Sequence, residues 1–203
     1  MNKIIKFLIL SDVSLAIGFG FINPIFAIFL TERIEGGNIE VVGYAASIYW
    51  IIISLTVIPF GKYLDKNYGE KDDFWFIVIG NIFAALAVLG YIFSYLPWHI
   101  YILQIVFSLG MSMNISAYAA IFTRHIDKGR ESFNWSARAS LIGIGAGVAG
   151  ALGGIITSNF GFNFLFIGII VFVLISALIP FVIYRRICPK NEKTIRIHFG
   201  KNL

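Results

Sequence analysis

Charge is scarce in this chain: of its 203 residues 13% are charged, and 11 are Asp or Glu. A soluble domain carries about 25% charged residues, so a water-facing surface is poorly provided for. One cysteine, Cys188, excludes an intrachain disulfide. His99, His125 and His198 are the three histidines, and they lack metal-ligand spacing. No serine, histidine and acid cluster suggests hydrolysis. The glycines of 143–154 lack the Gly-Lys-Ser/Thr ending of a phosphate-binding loop. Neither an enzyme, a cofactor nor a metal is expected. What the chain has instead is apolar mass, with 58% hydrophobic residues and a mean hydropathy of +0.83.

That mass falls into six runs, 7–30, 41–60, 74–96, 100–122, 139–157 and 162–184. Each approaches or exceeds the ~20 residues that cross a bilayer as a helix satisfying its own backbone. The expected fold is an all-α integral membrane bundle of six transmembrane helices, a single domain over 1–184 followed by a basic tail, 185–203. Alternate loops collect the basic residues: 15 of the 16 Lys and Arg fall on one side, and Arg33 alone falls on the other. The net charge of +5 is therefore a topology signal, not a nucleic-acid footprint. The positive-inside rule then puts both termini in the cytoplasm of a multi-pass cell-membrane protein. Lys3 and Lys6 precede an apolar stretch as in a signal peptide, but the stretch runs on to Leu30 without a small-x-small cleavage site and reads as an uncleaved first helix.

The outer gaps at 97–99 and 158–161 are tight, while the inner gaps 61–73 and 123–138 are long and charged. Two sets of three helices, 7–96 and 100–184, suggest an inverted repeat. The loop after the second run holds Gly61, Asp65, Lys66, Gly69 and Lys71. In type and order these residues resemble the signature loop of the major facilitator superfamily, G-x-x-x-D-[RK]-x-G-[RK]-[RK]. One residue is inserted before Gly69, and Glu70 stands where a basic residue is usual. Gly18, Gly20, Asn23 and Pro24 are similar to the glycine and proline pattern of that family's first helix. Gly145, Ala149, Gly150, Gly153 and Gly154 look like its fifth-helix motif, with Ala149-Gly150 in place of the antiporter form's Gly-Pro. Members typically have twelve helices in two halves, so this chain corresponds to an N-terminal half. The resemblance implies alternating access around a central cavity.

Asp12 is the one acid within an expected span, which makes it the candidate for proton or cation coupling. It lies little more than one turn beyond Lys6, where hydration or a loop cation also suits it. Asn23 beside Pro24 offers an amide to a substrate or to the interrupted helix. Gln104, Ser108 and Ser112 recur at helical spacing on one face, and Asn114 follows. The resemblance implies that helices one and four line the cavity, so Asp12, Asn23, Gln104 and Ser108 are substrate or coupling candidates with Asn114. The fourth-helix arginine of proton-coupled members has no equivalent here. Asp65, with Arg124, Arg130 and Arg138, completes the conformational-gate set.

The expected activity is transport of a small solute, secondary-active or facilitative, by a half-sized subunit in lipid. The alternative is a membrane scaffold or truncated relic that does not transport. Gly143, Gly147, Gly150 and Gly154 lie along one side of helix five and suit close packing. The family's second and fifth helices face the opposite half, so a homodimer or a second half-sized subunit is the expected partner. Asp65 would then lie beside the partner's fifth helix; the other reading packs the glycine row within the chain and pairs Asp65 with Arg124 or Arg130.

Overall fold

The structure, a computed structural model, describes residues 2–67 and 70–187. These residues form α1 (Lys3–Ile22), α2 (Phe26–Arg33), α3 (Ile39–Asn67), α4 (Glu70–Ile92), α5 (Pro97–His125) and α6 (Glu131–Ile187), with no strand among them. The protein is an all-α membrane bundle in which five helices are long and apolar enough to cross a bilayer. One of the five, α6, is two helices in series. At Gly161 the backbone adopts φ 80° and ψ 172°, a region open essentially to glycine alone. Its arms, 131–160 and 162–187, meet at that single residue. The expected first span is α1 with α2, the next three are α3, α4 and α5, and the last two are the arms of α6.

The run 7–30 is not one helix. The Asn23 N–H still donates to the Phe19 carbonyl at 3.0 Å, but Pro24 has no N–H for the Gly20 carbonyl. The Ile25 N–H turns to Ile22 at 2.8 Å, so the Phe21 carbonyl loses its helical donor too. Both carbonyls abut glycines of α6. A Cβ on Gly153 would collide with the Phe21 oxygen, and one on Gly150 would lie 3.4 Å from the Gly20 oxygen. Glycine Cα–H groups can approach a carbonyl this closely and weakly satisfy it.

The charged loops are also shorter than the gaps 61–73 and 123–138 suggest. Helix α3 runs on to Asn67 and α4 starts at Glu70, while α5 extends to His125 and α6 starts at Glu131. Arg124 and Arg138, expected in a loop, are therefore helical residues.

Side-chain contacts give the direction of each traverse. Gly145 packs on Ile17 and Gly153 on Phe21, so the first arm of α6 runs parallel to α1. Ser11 meets Ser176 and Gly18 meets Phe172, so the second arm runs antiparallel. Gly80 and Gly110 cross so tightly that a Cβ on either would sit 2.5 Å from the other's carbonyl oxygen. Near one end of the same pair Gly90 faces Leu103, and at the other Asp73 meets Arg124. Helices α4 and α5 are therefore antiparallel.

The core is divided. One apolar cluster gathers Leu15, Phe29, Ala84, Val88, Ile100, Phe166 and Val173 with their neighbours. A second, at the basic end, gathers Ile5, Leu8, Leu64, Ile77, Ile121, Phe122 and Ile183. On α1, α4, α5 and the second arm of α6, the residues between these clusters include buried polar groups: Ser11, Asn81, Asn114 and Ser176.

Candidate functional site

That polar layer is hydrogen-bonded through. The Asn114 amide donates to the Asn81 carbonyl oxygen at 2.8 Å, and the Asn81 amide donates to the Ser176 hydroxyl at 3.1 Å. Ser11 gives its proton to the Ser176 backbone carbonyl at 2.7 Å, which leaves the Ser176 hydroxyl to donate to Ser11 at 3.1 Å. Four traverses are tied together by groups that lipid would leave unsatisfied. A further link joins α3 to α5, where the hydroxyls of Thr56 and Ser112 are 2.8 Å apart.

Asp12 borders this layer, beside Ser11. It lies six residues along α1 from Lys6, about 9 Å of rise, inside the apolar run that begins at Phe7. Its carboxylate pairs with Arg138, Nη2 to Oδ2, at 2.6 Å, with the side chains 12% and 27% exposed. The Arg138 guanidinium also lies over the Tyr118 ring at 4.7 Å and the Trp135 ring at 5.5 Å. Helices α1, α5 and α6 thus converge on one charged and aromatic cluster. A carboxylate so largely buried needs a counter-charge, and Arg138 supplies it.

The other sequence candidates divide around this cluster. Asn114 belongs to the hydrogen-bonded layer. Gln104 and Ser108 are buried nearer the opposite end of α5; the Ser108 hydroxyl donates to the Gln104 backbone carbonyl, and the Gln104 Oε1 has no hydrogen-bond partner among the described residues. Asn23 is exposed at the break between α1 and α2. The structure thus brings together Asp12 and Arg138, and it places Asn23, Gln104 and Ser108 elsewhere.

A second ion pair holds the basic ends of α4 and α5. Asp73, with its side chain fully buried, pairs with Arg124, which is 29% exposed. Next to it His125 Nε2 lies 3.4 Å from Glu70. Asp73 sits one residue before the apolar run that begins at Phe74, so hydropathy alone assigns it to a loop, and Asp12 is not the one buried acid. The charge partners of Arg124 and Arg138 are Asp73 and Asp12, not Asp65. Asp65, Lys66, Lys71 and Arg130 are exposed. A Cβ on Gly61 would meet nothing within 4 Å among the described residues, so Gly61 makes no close helix approach there, and Gly69 lies outside the described residues.

The glycines of the first α6 arm separate into two rows. Gly145 and Gly153 pack on α1, as Ala146 does against Gly20. Gly143, Gly147 and Gly154 meet nothing among the described residues, while Gly150 lies between the rows near Gly20 and Pro24.

Comparison with known families matches residues 8–199 to the Major Facilitator Superfamily. The chain belongs to that superfamily. Its members are transporters, not enzymes, and this chain is accordingly a multi-pass membrane protein of the transporter class. Comparison with curated proteins gives no match. Set within the superfamily, the exposed signature-loop residues and the unfilled glycine row lie on surfaces that this bundle does not use for its own packing. Helix α3 belongs with them: 17% of its apolar span is buried, against 56% for α1 and 50% for α4.

Proposed function

We propose that this chain is one bundle of an alternating-access carrier for a small solute, completed by a second copy of itself or by another half-sized chain. The observation that carries the reading is the unpacked face of α3 together with the open row Gly143, Gly147 and Gly154. A helix whose apolar residues find so few neighbours in its own bundle, beside glycines that admit close approach, suits a rocking contact with a second bundle. The largely buried ion pair of Asp12 and Arg138 is a candidate site for coupling or substrate.

The test is solute counterflow in proteoliposomes holding the purified chain, with labelled monosaccharides, amino acids, organic anions and organic cations as probes. Counterflow of at least one class above that of protein-free vesicles supports the reading. Its absence for every class, in protein shown to be folded and assembled, overturns it in favour of a scaffold. If transport is proton-driven, Asp12→Asn abolishes uphill accumulation of the transported probe and leaves some downhill counterflow at saturating probe. Unchanged accumulation would remove Asp12 from the coupling step.

We also propose that both termini face the cytoplasm of a cell membrane, from the basic residues collected at one end. In a background with Cys188 replaced, an impermeant thiol reagent added to intact cells should label a cysteine at position 36 and spare one at 128. Labelling of 128 without 36 would invert the orientation.

A further inference from the structure

We propose that the cluster around Asp12 is an organic-cation site which the chain fills with its own Arg138 guanidinium while no substrate is bound. This rests on the transport reading and gives its substrate a chemical class. A carboxylate beside two aromatic faces is the environment that holds a poorly hydrated cation. Asp12 supplies the charge at 2.6 Å, and Tyr118 and Trp135 supply faces at 4.7 and 5.5 Å. Phe122 backs both rings, 5.4 Å from Tyr118 and 4.6 Å from Trp135 between centroids.

The fit of Arg138 to this site is incomplete. Arginine and carboxylate commonly pair through two parallel N–H bonds, yet this ion pair runs from Nη2 to Oδ2, and the buried Nε has no hydrogen-bond partner among the described residues. The Tyr118 hydroxyl is likewise buried without one. With 27% of its side chain exposed, Arg138 is also open to displacement. A resident guanidinium keeps Asp12 neutralised in the empty carrier, where a bare and largely buried carboxylate is costly. An arriving cation takes over the same carboxylate and rings.

The sign of one substitution separates this arrangement from an anion site. If Arg138 competes with the substrate, removing it strengthens cation binding; if Arg138 is itself the ligand for an anion, removing it destroys binding. Equilibrium dialysis of the purified full chain in detergent, with tetraphenylphosphonium and its anionic counterpart tetraphenylborate, reads both signs. Expected are about tenfold tighter tetraphenylphosphonium binding in Arg138→Gln, a smaller gain in Arg138→Lys, and at least about tenfold weaker binding in Asp12→Asn. Tyr118→Leu should weaken binding by roughly threefold or more while Tyr118→Phe, which keeps the ring face, stays within about twofold. Arg138→Lys keeps a cation beside Asp12, so it serves where Arg138→Gln does not fold. Unchanged or weaker phosphonium binding in folded Arg138 variants overturns the proposal, as does tetraphenylborate binding that depends on Arg138. Because binding is read without flux, phosphonium binding with this signature in a chain that moves no solute would overturn the transport reading alone. Counterflow of another solute class without phosphonium binding would overturn this inference alone.

Discussion

Gly147→Trp is expected to abolish counterflow while leaving the melting of the six-helix bundle within a few degrees of the parent. A Cβ at Gly147 meets nothing within 4 Å, and the residue is exposed on the first arm of α6. An indole there disturbs no packing inside the bundle but prevents close approach of a second one. Gly153→Leu provides the contrast, because its Cβ would run into the Phe21 backbone. Overpacking of an interior commonly costs about 1–3 kcal/mol, and backbone offers less room to yield than a side chain. Size-exclusion profiles, thermal melts and flux measured on both variants distinguish a lost contact between bundles from a lost fold. Normal flux in Gly147→Trp would show that this glycine row does not meet a second bundle.

The second large effect is on stability. Arg124→Ala should destabilise the bundle by about 3 kcal/mol, the lower end of the roughly 3–5 kcal/mol cost of breaking a buried pair. Asp73 is left behind with no exposed side-chain surface, whereas its partner is 29% exposed and reaches water. The reverse substitution, Asp73→Ala, is therefore the milder one, about 1 kcal/mol, since a stranded arginine can turn its head outward. Removing both partners should recover much of the Arg124→Ala loss. Unfolding in mixed micelles gives the order of the three variants. Equal losses for the two single substitutions would mean that the unequal burial of the pair carries no energetic weight.

Much of the architecture is legible in the sequence because lipid imposes simple demands on it. Six apolar runs mark six traverses, and the signature loop around Gly61, Asp65 and Lys66 points to the superfamily that the family comparison shows. The candidate site is less legible, because its partners are separated along the chain. Asp12 stands out alone, but its counter-charge lies 126 positions away, one residue before the apolar run that begins at Ala139. Asn81 is a lone amide in the third apolar run, and its polarity alone marks it as needing a partner. Nothing in the spacing indicates that Asn114 and Ser176 both answer it. The glycines of α6 show the same limit. Gly143, Gly147, Gly150 and Gly154 form a plausible row by spacing, and so do Gly145, Ala149 and Gly153. Only the position of α1 determines which row is already taken. The interruption at Pro24 is foreseeable as a lost donor, whereas the reception of the freed carbonyls by α6 glycines depends on tertiary contact.

Gly161 has a mechanical consequence. One residue contributes two soft backbone torsions, so the arms of α6 are joined by a pivot with no spare chain. The second arm begins at once, and its Ser176 is held to both α1 and α4. A connection of ten flexible residues would let the two ends separate. Joined in this way, the arm that carries Arg138 and the arm that carries Ser176 must stay within a residue of each other at that end of the bundle, however either one turns.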